Sequence, residues 1–140
     1  MGLTQLPKLP SFVAARRTNA HAFAAALAGR EDLFQLQVET PNGHHSWFGF
    51  PMTVAADAPF SAQDLRYHLE QVGIETRPII CGNIAMQPGL QANPHRLVGE
   101  LQHASRVMTH ALSVGCHQSI DDQARRYLAD QVIGFLDLWT

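Results

Sequence analysis

The chain has 140 residues, which points to one domain with room for a buried core. Hydrophobic residues make up 46% and charged residues 16%, a balance that excludes wholesale disorder. Ten basic against twelve acidic side chains leave a formal charge of −2, so no electrostatic case for nucleic acid arises. No apolar run approaches the length of a membrane span. The opening MGLTQLPKLPSF lacks the basic and apolar regions of a secretory signal. The expected location is the cytoplasm. Lys8 is the only lysine, lying between two prolines near the start.

Taken in order, the chain opens with an entry segment bracketed by Pro7 and Pro10. Ser11 reads as an N-cap. A helix is predicted from Phe12 to Ala28, with Val13, Ala20, Phe23, Ala24 and Leu27 on one stripe and Gly29 as its stop. Phe34 to Val38 is a short strand and Thr40 to His45 a turn. Ser46 to Val54 is a second strand. Alternation places Phe48, Phe50, Met52 and Val54 on one face, and Trp47, Gly49 and Pro51 on the other. Pro51 cannot donate to a ladder, which predicts an edge position or a bulge; Gly49 leaves space for close approach of a backbone or a ligand. Ser61 caps a helix carrying Leu65, Leu69 and Val72, stopped by Gly73.

The run IETRPIICGNIAMQP, Ile74 to Pro88, follows and organises the rest. It reads as a strand ending in Cys81-Gly82-Asn83. Glu75 and Arg77 are two apart, so an extended backbone turns both to one face, with Thr76, Pro78 and Ile80 on the other. Pro78 keeps Arg77 out of the helical region. A carboxylate, a guanidinium and the amide of Asn83 then converge near one edge, an arrangement suited to a hydroxylated or anionic ligand. The competing reading of Glu75 and Arg77 is a surface ion pair. For Asn83 it is a turn former.

Gln87 to Pro94 is loop, Glu100 to His110 helix, and Ala111 to Cys116 a strand with Leu112, Val114 and Cys116 alternating. Asp121 and Asp122 open a last helix, where acids favour the positive end of the helix dipole. Its apolar stripe is Ala124, Leu128, Val132, Phe135 and Leu136. Short strands and one-stripe helices in this order predict an α+β two-layer sandwich, a small mainly antiparallel sheet with helices, as a single domain over 1–140.

Other chemistries find little support. His103, His110 and His117 recur every seven residues, about 10 Å apart on a helix and too far to share one ion. There is no HExxH, CxxC or GxSxG pattern. No metal site and no catalytic nucleophile are expected. Cys81 and Cys116 read as small buried residues. His117, in GCHQ at a strand end before a helix, is a site candidate whose competing reading is an ordinary loop histidine.

LPSFVAARRTNAHAF, SWFGFPMTV, GIETRPIICGNIAMQP, HRLVGEL and SRVM, in this order, resemble the C-terminal part of the DegT/StrS family of nucleotide-sugar aminotransferases and dehydratases. The pattern is most similar to the RfbH-like 3-dehydratases acting on CDP- or GDP-linked 4-keto-6-deoxyhexoses. The resemblance covers about residues 6 to 138. It implies the small domain of a fold-type-I vitamin B6 enzyme, using pyridoxal or pyridoxamine phosphate (PLP or PMP) in deoxysugar and lipopolysaccharide O-antigen biosynthesis. It implies Glu75 and Arg77 as substrate-binding residues, with Asn83 and His117 as further candidates, and a nucleotide-linked 4-keto-6-deoxyhexose as ligand.

The family's large cofactor-binding domain, with its catalytic lysine or histidine, has no counterpart in these residues, and neither has the iron–sulfur cysteine cluster of CDP-sugar members. No cofactor is expected to bind covalently to this chain alone, Lys8 lying in the wrong element. Two expectations stay open. One is a portion of a sugar dehydratase or transaminase, inactive alone, whose partner is a large-domain polypeptide or a second copy in a homodimer. The other is a non-catalytic nucleotide-sugar-binding or dimerisation module that kept the small-domain fold.

Overall fold

The alternation around Phe50 becomes the centre of a sheet. In the computed structural model, which describes residues 2–139, β1 (Phe34–Leu36), β2 (Gly49–Val54), β3 (Thr76–Arg77) and β4 (Ala111–Gly115) pair antiparallel in the order β1-β2-β4-β3. The longer helices are α2 (Leu9–Ala26), α3 (Ala62–Gln71), α5 (Gln102–His110) and α6 (Asp122–Leu136), and α1 (Gly2–Gln5) and α4 (Pro88–Gln91) are single turns. This is the expected small antiparallel α+β domain.

The core lies between one face of the sheet and three helices. Phe34, Phe50, Met52, Val54, Leu112 and Val114 face inward to Ala20, Phe23 and Leu27 of the α2 region, Leu65 and Leu69 of α3, and Leu128, Val132, Phe135 and Leu136 of α6. Phe23 meets Phe50 edge-on at 5.5 Å and Phe60 meets Phe135 at 5.0 Å. Such pairs add about 0.5–1.5 kcal/mol each beyond the area they bury. Ser61 closes a full capping box with Asp64 at the start of α3, and Asp121 caps α6 through the Ala124 N–H. Helix α5 buries none of its residues and lies on the opposite face at one end, where His103, Arg106 and Val107 stand over Pro51 and Thr53. The rest of that face is open.

Four local expectations are corrected. Ser11 is not an N-cap: α2 begins at Leu9 with Pro10 in its first turn, where a missing N–H costs nothing, and the Ser11 hydroxyl donates to the Lys8 carbonyl. Trp47 and Phe48 exchange faces. Trp47 is left-handed (φ 50°) and buried, so the alternation restarts at Gly49 and Phe48 is thrown out to 89% exposure.

Pro51 sits on an inner strand, with neither edge nor bulge. Ala55 N–H donates to the Leu33 carbonyl, which makes Gln35–Thr53 and then Gln37–Pro51 the next hydrogen-bonding pairs. Proline has no N–H to offer there, so β1 stops at Leu36 while the ladder on the β4 side runs intact from Gly49 to Thr53. The long strand expected after Ile74 shrinks to Thr76–Arg77: the ladder ends ahead of Pro78, and Ile80 turns left-handed (φ 49°).

Candidate functional site

The open face of the sheet forms a shallow groove of about 460 Å³. Its floor is the outward side of β2 and β4: Gly49, Pro51, Ser113 and Gly115. A Cβ at Gly49 would stand 3.3 Å from the Val114 carbonyl, so the small floor residue fits the sheet closely. Phe48 and Ile80, each 89% exposed, rise at the rims, and His45 and Arg77 bring polar groups to the walls.

Period-two geometry delivers Glu75 and Arg77 to one side, as expected. Thr76 between them is buried and donates its hydroxyl to Glu70 at 2.7 Å. Arg66 and this hydroxyl together hold the Glu70 carboxyl below its usual range, the arginine contributing more. Arg77 donates through Nη2 to Glu75, and the two side chains are 74% and 75% exposed. An ion pair this exposed contributes about 0–1 kcal/mol, so stability gives little reason for its presence. Ser113, opposite Arg77 in register, ties its hydroxyl to the Arg77 carbonyl at 3.3 Å.

The remaining two candidates stand apart from the pair. Asn83 is 4% exposed, and both ends of its amide are engaged: Oδ1 accepts the Ala85 N–H and Nδ2 donates to Ser105 Oγ. It anchors the turn after β3 to α5. Gly82 lies in the same anchor; it is left-handed (φ 60°), and a Cβ there would be 2.5 Å from that of Met108. His117 lies just past β4 and is exposed. Thr76 faces Val114, so Glu75 and His117 lie toward the same end of the sheet.

Sequence reasoning missed the groups behind this end. Asn19 is fully buried in α2; it donates to the His117 carbonyl at 2.8 Å and accepts from Arg125 at 2.7 Å. Its polar type on a buried helix face was the available signal. Cys116 is buried, its thiol donating to the Arg16 carbonyl at 3.2 Å, and burial pushes its pKa up to about 11. Cys81, expected to be buried, is exposed, because it falls in the turn after β3.

A covalently held PLP needs an amine beside the reacting groups. Lys8 ends an exposed turn ahead of α2, and the groove lining contains no lysine. These residues do not fit covalent attachment of that cofactor. Among the described residues no three His, Cys, Asp or Glu side chains gather as a metal site would need, and no helix is long and apolar enough to cross a membrane.

Comparison with known proteins adds the family. The DegT/DnrJ/EryC1/StrS aminotransferase family matches residues 1–133. The chain is 34% identical over 136 residues to the dTDP-4-dehydro-2,6-dideoxy-D-glucose 3-dehydratase of Saccharopolyspora spinosa, covering 97% of this chain and 29% of that one. It is 28% identical over 137 residues to the lipopolysaccharide biosynthesis protein RfbH of Salmonella typhimurium, covering 98% and 31%. Among solved structures, the E. coli GDP-4-keto-6-deoxy-D-mannose 3-dehydratase with bound hydrated PLP superposes with a TM-score of 0.83 at 31% identity, over 94% of this chain and 33% of that one. The chain thus spans about a third of the length of each.

Proposed function

This chain belongs to the DegT/DnrJ/EryC1/StrS aminotransferase family, and from that premise we propose that it is the sugar-facing portion of a PLP- or PMP-dependent 3-dehydratase for nucleotide-linked 4-keto-6-deoxyhexoses. Its place would be deoxysugar or lipopolysaccharide O-antigen synthesis in the cytoplasm, and it would be inactive without a large cofactor-binding portion. The observation that carries this reading is the Glu75–Arg77 pair, held in the open beside an uncovered groove where it adds little to stability.

In that assembly the cofactor supplies the electron sink and the protein supplies binding and orientation. The part of this chain is to hold the sugar. Arg77 donates to hydroxyl or phosphate oxygens and Glu75 accepts from sugar hydroxyls. Each exchanges its partner two residues along the chain for a ligand group, so neither side chain loses its hydrogen bond. Phe48 and Ile80 bring apolar surface to the rim, and closing it over the ligand keeps water from the reacting carbons. Asn83 serves from behind, fixing the turn that follows the pair to α5.

The test is reconstitution. The chain is co-expressed with the large portion of the E. coli GDP-4-keto-6-deoxy-D-mannose 3-dehydratase lacking its own C-terminal third, and loss of the C3 oxygen from the nucleotide sugar is followed. Turnover by the pair and none by either part supports the proposal. A well-folded chain that binds GDP-mannose alone but neither assembles nor restores turnover supports the other reading, a non-catalytic nucleotide-sugar-binding or dimerisation module.

A further inference from the structure

The segment after β4 is strapped to the helices behind it at four points. Cys116 Sγ meets the Arg16 carbonyl at 3.2 Å, and Arg16 Nε meets Gln118 Oε1 at 3.1 Å. Asn19 Nδ2 meets the His117 carbonyl at 2.8 Å, and Arg125 Nη1 meets the Ile120 carbonyl at 3.3 Å. Arg125 also holds Asn19 Oδ1 at 2.7 Å and pairs with Asp122. Asn19 is therefore oriented by the arginine: its oxygen is taken, and its NH2 must face His117. A wholly buried amide with both ends satisfied is a rigid bracket, since swinging it away would orphan two groups.

The bracket holds the backbone of His117 while the imidazole stays exposed. Ser119 folds back on that ring. Its backbone N–H donates to Nδ1 at 3.3 Å, and its hydroxyl lies 2.7 Å from the same nitrogen. A backbone N–H can only donate, so Nδ1 is the nitrogen without a proton, and the hydroxyl donates to it as well. A neutral imidazole carries one proton, which must then sit on Nε2. The outward group is an N–H, not a lone pair.

We infer that His117 is a neutral Nε2–H hydrogen-bond donor to an oxygen of the sugar nucleotide, with Asn19 as its positioning residue and Ser119 setting its tautomer. The ligand half of this statement rests on the substrate reading given above; the donor half does not. It also assigns a role that His117 does not have: with its lone pair turned inward, the neutral ring is not a base toward the ligand.

Long-range proton–nitrogen NMR on the 140-residue chain reads the tautomer directly. The Nε2–H form should exceed the Nδ1–H form by about tenfold, the ratio one net hydrogen bond supports. Ser119→Ala, a change at an exposed position, removes the hydroxyl donor and keeps the backbone N–H, so it should lower this ratio while the Nε2–H form stays the larger. Asn19→Asp keeps the acceptor for Arg125 but loses the donor to the His117 carbonyl, so it should shift the His117 signals even where circular dichroism is unchanged. A dominant Nδ1–H form in the wild type overturns the inference, and so do signals identical in all three proteins. GDP-mannose is then titrated into the chain reconstituted with the large portion: His117 Nε2 should shift, and His117→Ala should weaken binding about tenfold. A reconstituted pair whose His117 is in the Nε2–H form yet ignores GDP-mannose sinks the substrate reading and leaves the donor assignment standing.

Discussion

Arg17 on α2 holds both carboxylate oxygens of Glu39, at 2.6 and 2.9 Å, across 22 positions of sequence. The same guanidinium donates to the His45 carbonyl at 2.9 Å, and the His45 N–H donates back to Glu39. The loop between β1 and β2 is thereby clamped to the core helix just before Trp47 turns inward and Phe48 outward. The clamp fixes one wall of the groove.

Acid should release it. The Arg17 hydrogen bond first, and the His45 N–H second, hold the Glu39 carboxyl down to about 2, against an ordinary value of 4.5. A carboxyl with a depressed folded value adds stability that is complete above the ordinary value and is lost as pH falls through the folded one. The wild type should lose stability between about pH 4.5 and pH 2 with proton uptake at Glu39. Glu39→Gln should be less stable at pH 7 and show a shallower decline across that window. Parallel pH–stability curves for the two proteins would refute the clamp.

Arg77→Ala should leave the fold alone, its stability changing by no more than about 0.5 kcal/mol, because the side chain is exposed and its one ion pair is a surface pair. In the reconstituted enzyme the same variant should weaken nucleotide-sugar binding by about tenfold or more, the worth of a charged hydrogen bond. Denaturant titration and binding isotherms separate the two. A comparable loss of folding stability would return Arg77 to a structural role.

Ile80 is a β-branched residue with φ 49° and no packing to lose. Left-handed backbone costs such a residue roughly 1–3 kcal/mol. Ile80→Gly should therefore raise the unfolding free energy, by about 1 kcal/mol after the added entropy of glycine. An unchanged or lower melting temperature counts against strain at this turn.

The two cysteines should differ sharply toward alkylation. Burial raises the Cys116 thiol to about 11, so almost no thiolate exists there at pH 8, and the sulfur is also covered. Cys81 is exposed on a turn. Iodoacetamide on the native chain should label Cys81 alone, with Cys116 reacting only after denaturation. Mass spectrometry of the labelled peptides decides it.

Phe48→Gln should cost almost nothing, whereas Phe50→Ala should cost about 3–5 kcal/mol, the usual price of emptying a core aromatic site. Chemical denaturation of both variants checks the facing of β2 assigned here.

Much of this architecture was legible from local pattern alone. Leu65 and Leu69, Leu112 and Val114, and Val132 with Phe135 lie on the faces their periodicity requires, because burying one stripe or one face is a local condition on side-chain direction. The cap at Ser61 and the opposite facing of Thr76 to its neighbours follow from the same short-range rules. The ordered motifs also carried the family, since several different ones stand in sequence along most of the chain. Tertiary structure decided what depended on distant partners. Pro51 lies inside the sheet because its hydrogen-bond vacancy faces the point where β1 ends, and no local rule says where another strand ends. Trp47 faces inward because a single left-handed residue resets the alternation. Asn19 takes its meaning from Arg125 and the His117 carbonyl, about a hundred positions away, and only a folded chain sets a buried amide beside the groups that satisfy it.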